Sequence, residues 1–467
     1  MASVSSEFTN TLSMANAAAA PEKQSRVLPL IVVVLLASFI VPFLIHVGPL
    51  RLSIYRIVLI LAFIPVVVAW LSGQAGRVRL ADIAYLMYCV WAMLSFTVNH
   101  GAAGLQAGGM VFFETFGAYL VARVFIRSAE AFQKMVKVLF VVVLCLLPFA
   151  AIEAVLERNL ILNIAGQVKA PFIDVPSFVV KEPRLGMQRV QGPFEHPILF
   201  GVFCGSAVAL TFLVLGYGRS FIKRITQTGA ILLTGFFSLS AGPLAGMFAQ
   251  IGLLGWNWIL RSLRSRWKIL FLLFVTMWVG LEIVANRPAA QIIFLNFSFN
   301  QHNAMMRMHI WNFGTDNIIA NPLFGLGFRD WARPFWLTSS VDMYWILGGM
   351  RHGIPAVVFT FVGFFAVLLP LIFRKGLDAT QDACRLAIVC CLLGFFVTGW
   401  TVHYWNATYV LLHFLLGSGM WLLDASAKSG DDEGEAATTA TARQMHYRRG
   451  ENAGMPTTRF TPSRRRA

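Results

Sequence analysis

Three short stretches of this 467-residue chain combine side chains that can hold an anion with side chains that can move a proton. The first, RVQGPFEHPILF at 189–200, sets Arg189 ahead of a Gly-Pro break and places Glu195 and His196 against the start of an apolar run. The second, RMHIWNFGTDNIIANPLFGLGF at 307–328, has the apolar spacing of a helix over 307–319, ended by Asn321-Pro322. Arg307 and Trp311 stand four apart and so share one helix face. The third, SVDMYWILGGMRHGIP at 340–355, carries Asp342, Arg351 and His352. A guanidinium stays charged and presents a planar fork of donors that matches phosphate oxygens. A carboxylate or imidazole can take a proton from a hydroxyl. Arg189 and Arg307, with Trp311 beside the latter and with Arg351 and His352, are therefore candidates for binding a phosphate-bearing substrate. Glu195, His196 and Asp342 are the candidate proton acceptors, and His352 could serve in either role.

The elements that must position these groups belong in a bilayer. Hydrophobic residues make up 57% of the chain and charged residues only 13%, unlike any soluble domain. Apolar runs of roughly 20 residues, the length that crosses a hydrocarbon core of about 30 Å, recur along it. The expected architecture is an all-α integral membrane protein of about twelve spans, near 27–46, 52–71, 82–98, 105–122, 135–156, 197–216, 225–240, 243–260, 268–285, 342–373, 386–401 and 405–423. The segment 342–373 is too long for one straight helix, and Gly348, Gly349, Gly353 and Pro355 invite a break in it.

Basic residues accumulate in every second loop, among them Arg77 and Arg79, Arg123 and Arg127, Arg219 and Lys223, Arg261 and Arg264, and Arg374 and Lys375. With both termini in the cytoplasm all these clusters fall on one face. The net charge of +16 is then a topology signal rather than a nucleic-acid footprint. Six cysteines at span positions, with no CxxC spacing, indicate neither a disulfide framework nor a zinc site. No acidic cluster of the kind that holds a divalent cation is evident, and no cofactor is expected.

The expected organisation is a cytoplasmic tail over 1–26, spans over 27–156, a long outer loop over 157–196, spans over 197–285, a second long outer loop over 286–341, spans over 342–423 and a disordered cytoplasmic tail over 424–467. Functional residues tend to gather on long loops of this kind. The arginines in them run against the positive-inside bias, so topology does not account for them. An arginine at headgroup depth suits a lipid pyrophosphate.

In order and spacing, RVQGPFEHPILFG, SLSAGPLAG at 238–246, RMHIWNFGTDNIIANPLFGLGF and SVDMYWILGGMRHGIPAVVF at 340–359 resemble the O-antigen ligase and polymerase superfamily over roughly residues 185–370. These are bacterial inner-membrane glycosyltransferases that join or polymerise lipid-linked glycans on the periplasmic face. The resemblance implies a GT-C-like helical fold, an undecaprenyl pyrophosphate-linked oligosaccharide as donor and a growing glycan as acceptor. It also implies a chain-length regulator, a flippase and export proteins as partners within the bilayer. Arg189 matches the family arginine at the start of the sixth span and Arg307 the one four residues before a tryptophan, both engaged with the donor pyrophosphate. Ligases usually show a His-Asn pair before the tenth span, where this chain reads Ser340-Val341-Asp342-Met343. That departure favours an exopolysaccharide or O-antigen polymerase over a lipid A-core ligase, with Asp342 in the place of the histidine.

Simpler roles exist for the same residues. Arg189 and Arg307 could snorkel as interfacial anchors, and Glu195 and His196 could cap the sixth span. Glu114, Glu153 and Glu282 could be buried partners of basic residues. A transporter or flippase would also use many helices and a cationic cavity, but it concentrates charge at the bilayer midplane. This chain concentrates it in two loops.

Overall fold

The computed structural model describes residues 28–426 except 49, 179, 287, 290, 291 and 293–300. The expected tail over 1–26, almost all of that over 424–467 and part of the second long loop lie outside the described residues. One compact unit takes in Met1–Lys375 and Ala379–Ala425, and all that follows concerns it. The other takes in Gly376–Asp378 and Ser426–Ala467, of which only Gly376–Asp378 and Ser426 are described.

Helix α1 (Leu30–Ser38) is followed by an antiparallel hairpin of β1 (Leu44–Val47) and β2 (Leu50–Ser53), and β3 (Ile173–Asp174) pairs antiparallel with the other edge of β1. The chain continues through α2 (Ile54–Leu71), α3 (Leu80–His100), α4 (Ala102–Phe125, with a π-helical turn at Phe113–Gly117), α5 (Ala129–Leu156) and α6 (Leu160–Ala165). Next come α7 (Pro197–Leu215), α8 (Phe221–Phe236), α9 (Ala241–Ile259), α10 (Arg266–Val284) and α11 (Gln301–Ala320). The last are α12 (Tyr344–His352), α13 (Ile354–Phe373), α14 (Ala379–Thr398) and α15 (Ala407–Ser418).

Eight of these helices, α2, α3, α4, α5, α7, α10, α13 and α14, are long and apolar enough to cross a membrane. The other four expected spans take different forms. The expected span over 27–46 is the nine-residue α1 and then the β-hairpin, because Pro42 cannot donate to a continuing helix. Helix α8 has only 16 residues. Helix α9 has 19, but Gln250, Asn257 and its glycines dilute its apolar character. The last span is α15 with a 3-10 turn at Met420–Leu423.

Segment 342–373 breaks, as its glycines anticipate, at Gly353, which adopts φ 81°. A Cβ there would stand 2.5 Å from the Pro322 carbonyl oxygen, so only glycine fits. The NPLFGLGF turn clamps the break. Leu326 N donates to Met350 O at 2.8 Å, Gly327 N to Arg351 O at 2.9 Å, and Ile354 N to Pro322 O at 2.7 Å.

Helix α5 links two polar regions. Ser128 caps its start by accepting from Ala131 N at 3.2 Å, and its 28 residues rise about 42 Å. Phe132, Met135, Leu139, Val142 and Leu146 form its buried stripe. Just before it, Arg123 is 1% exposed, with Nε 3.5 Å from Asp82 and its terminal nitrogens donating to the carbonyls of Ala75 and Arg77. The six cysteines are free, and all but Cys145 are buried.

Candidate functional site

At the far end of α5 the first long loop is pinned by its own backbone. Gln188 N donates to Ala154 O at 3.2 Å and Val190 N to Phe237 O at 3.0 Å. Glu153 forms no ion pair with a described basic residue. Its carboxylate accepts the amides of Gln191 at 2.8 Å and Gly192 at 3.1 Å. Arg184 and Met187 exchange two backbone bonds around Leu185 and Gly186, both at positive φ. These anchors send two arginines to the turn before α9. Arg184 donates to Leu239 O at 2.8 Å and Arg189 to Ser240 Oγ at 2.8 Å.

Ser240 gives its own proton to Ser238 O at 2.8 Å instead of capping α9, so the first amides of that helix have no side-chain cap. Helix α11 brings a third arginine, whose Nε donates to Thr401 O at 3.2 Å. Thr401 and Val402 lie against Gly242 in the first turn of α9, where an added Cβ would stand 2.8 Å from Thr401 Oγ1. Arg184, Arg189 and Arg307 thus meet at one helix start. The charge of Arg184 acts on both of the others.

None of the three forms an ion pair with a described residue; the acidic charges reaching them are Glu182 at Arg189 and Asp342 at Arg307. Arg189 is 9% exposed, and its Nε is buried without a partner. Burial, reinforced by Arg184, lowers its pKa to about 10. Burial also lowers that of Arg307. A desolvated cation with unused donors gains most from an anion, and the positive end of α9 adds to its attraction.

Arg307 and Trp311 share a face of α11 as their spacing predicts, and Trp311 sets its ring 5.8 Å from Trp400. Asp342 accepts from the Ser340 hydroxyl at 2.7 Å. His196 caps α7, its Nδ1 accepting from Ile198 N at 3.1 Å. That bond uses one ring lone pair and assigns the proton of the neutral ring to Nε2, so the imidazole faces outward as a donor. Burial, with the charges of Lys181 and Arg189, pushes its pKa down to about 4.

Glu195 does not cap the helix. It accepts from Asn406 Nδ2 at 2.7 Å, and burial pushes its carboxyl above the ordinary range. His352, 3% exposed, sits between α3 and α12 with Nδ1 3.2 Å from Ser95 Oγ and its ring edge-on to Phe96 at 4.5 Å. Its ring is thus packed between these two helices. Arg351 lies 6.0 Å from the Phe328 ring centre and forms no ion pair with a described residue. No hydrogen bond or ion pair links Arg351 or His352 to Arg184, Arg189 or Arg307 among the described residues.

The connection between α14 and α15, GWTVHYWN at 399–406, touches four of the candidates, Arg307, Trp311, His196 and Glu195. Thr401 receives Arg307, Gly399 and Val402 receive the amide of Tyr344 at 2.9 and 3.0 Å, Trp405 lies 6.1 Å from His196, and Asn406 holds Glu195. Two neighbouring spans, 386–401 and 405–423, left it only three residues. Its density of aromatic and amide side chains was the available signal.

No group of three or more His, Cys, Asp or Glu side chains placed to hold a metal occurs among the described residues. The chemistry on offer is cationic binding of an oxyanion, with the Asp342 carboxylate acting on Arg307 and Glu195 held separately by Asn406. No protein-family model matches this chain, and no curated protein matches it.

Proposed function

We propose that this chain is a polymerase that joins undecaprenyl pyrophosphate-linked oligosaccharide repeat units into exopolysaccharide or O-antigen at the periplasmic face of the bacterial inner membrane. The observation that carries this reading is the convergence of Arg184, Arg189 and Arg307, none in an ion pair with a described carboxylate, on the start of α9, which has no side-chain cap. The chain crosses the bilayer about twelve times in a GT-C-like arrangement with both termini cytoplasmic, α8, α9 and α15 adding crossings to the eight long apolar helices. Chain-length, flippase and export proteins act beside it.

The donor's lipid tail lies between helices and its pyrophosphate against the three arginines. The acceptor hydroxyl loses its proton to Glu195 or Asp342 and attacks the anomeric carbon with inversion. The pyrophosphate departs with the bonding pair. Donors of this kind act where charge develops, and each lowers the barrier by about 2.7–4 kcal/mol.

The test compares surface and lipid-linked glycan from a deletion strain complemented with wild type, Arg189→Ala or Arg307→Ala. Accumulation of single lipid-linked units, relieved by wild type alone, is expected. Normal polymer from both variants, inserted at normal levels, would refute the arginine role. Long polymer stranded on its lipid carrier in the deletion strain would make the chain a ligase instead.

A further inference from the structure

Resting on the transferase reading, which leaves the proton acceptor open between Asp342 and Glu195, the surroundings of the two carboxylates separate them. Asp342 already serves Arg307 as the one acidic charge acting on it. Glu195 has no cation bonded to it among the described residues. Asn406 donates to it at 2.7 Å and with its other end accepts from the Arg56 terminal nitrogen at 3.0 Å. Arg56 is in turn committed to Glu114, Nε to Oε1 at 2.7 Å, and to Arg51 O at 3.1 Å. Two carboxylates therefore share one guanidinium, and Glu114 holds the contact.

Three further features mark this network. Asn406 adopts φ 51° and ψ −132°, a region closed to most residues that carry a Cβ, at a cost of about 1–3 kcal/mol. Its two hydrogen bonds offset that strain. Glu114 belongs to the π-helical turn of α4, a local widening that recurs at functional positions. Glu195 also lines a cavity of about 20 Å³ with Ser53 and Tyr55, whose hydroxyl is buried without a hydrogen-bond partner. That volume accommodates one hydroxyl-sized group beside the carboxylate.

We propose that Asn406 is a positioning residue that fixes Glu195 as the proton acceptor for the attacking hydroxyl, with Arg56 and Glu114 setting the charge around it. In the step, the hydroxyl O–H bond breaks and its proton passes to the Glu195 carboxylate. The oxygen bonds to the anomeric carbon, and the bond from that carbon to the phosphate oxygen breaks with its electron pair leaving on pyrophosphate. Four groups face Glu195: Tyr55 and Arg56 of α2, Glu114 of α4 and Asn406 ahead of α15, with His196 next in the chain. Burial and the charge of Glu114 favour the protonated carboxyl, whereas its own amide, Asn406 and Arg56 favour the carboxylate. Removing the Asn406 donor must therefore move the Glu195 titration upward.

The experiment uses the full-length protein in lipid nanodiscs, with the carboxyl C=O infrared band assigned by its loss in Glu195→Gln. Asn406→Gly removes both side-chain bonds while relieving the backbone strain, so folding is favoured in the variant. The Glu195 midpoint is expected to rise by about one pH unit, as for loss of one charge-assisted bond. The acid limb of polymer synthesis, assayed with lipid-linked repeat units extracted from the deletion strain, should rise with it. An unmoved midpoint overturns the role of Asn406. A midpoint that moves while the acid limb stays overturns Glu195 as the acceptor and leaves the transferase reading intact. Wild-type protein that makes no polymer overturns that reading and the acceptor role together, and the infrared titration still decides what Asn406 does.

Discussion

Arg123 and Arg189 are both buried arginines, one just ahead of α5 and the other bound to its far end, yet they are held in opposite ways. Arg123 has Asp82 within 3.5 Å and two backbone carbonyls as acceptors. Arg189 has one serine hydroxyl, an orphaned Nε and the charge of Arg184 acting on it. Burial is thus common to a structural and a candidate binding cation. What distinguishes them is the counter-charge: Arg123 has a carboxylate at 3.5 Å, whereas Arg189 forms no ion pair with a described residue, and the proposed anion-binding role rests on that difference.

Substitution should make the contrast cross over. Arg123→Met leaves Asp82 buried without its cation, and a loss of about 3–5 kcal/mol in unfolding free energy is expected, read as a collapse of the thermal midpoint or of the folded yield. Arg189→Ala and Arg307→Ala should leave that midpoint near wild type and lower polymer synthesis about 10²–10³-fold. If the arginine-cluster variants unfold instead, the two regions are alike and the contrast fails. Next in size is ligand stabilisation. Inorganic pyrophosphate at about 100 times its Kd should add about 2.7 kcal/mol to the wild type, and Arg189→Gln should abolish the thermal shift. Arg184→Gln should have a smaller effect, about 1.5–3 kcal/mol in pyrophosphate affinity by calorimetry, because only one charge-assisted donor is removed. Unchanged affinity would reduce Arg184 to a clasp on the Leu239 carbonyl.

The same contrast explains what the sequence reveals and what it hides. The helix Gln301–Ala320, the shared face of Arg307 and Trp311 and the break at Gly353 are legible because each rests on spacing within one or two turns or on the conformational range of glycine. Arg189 and Arg307 stand out because they oppose the positive-inside bias. Arg184 opposes that bias too but adds no local pattern, so only its bond to Leu239 marks it. The network of Arg56, Glu114, Glu195 and Asn406 joins four separate segments, and Arg56 and Asn406 are 350 residues apart. No window of sequence contains such a pairing. The segment 27–46 departs from expectation for the opposite reason, since apolar composition does not distinguish one long helix from a short helix followed by a hairpin.

His196 senses the unbalanced charge of the cluster and gives the smallest effect. Its folded-state pKa is depressed to about 4 by burial and then by Lys181 and Arg189, whereas an unfolded histidine titrates near 6.5. Between those values the unfolded chain binds the extra proton, so unfolding free energy must rise with pH across the window. The contribution is complete above about 6.5 and is lost as pH falls to about 4. His196→Asn preserves a cap acceptor without a titrating ring and should flatten this part of the stability profile. If the arginine charges are as uncompensated as the geometry indicates, Arg189→Gln should also raise the His196 pKa, measurable by NMR with ¹⁵N-labelled histidine. A His196 pKa indifferent to Arg189 would mean that the cluster is already neutralised and that Arg189, like Arg123, is a structural cation.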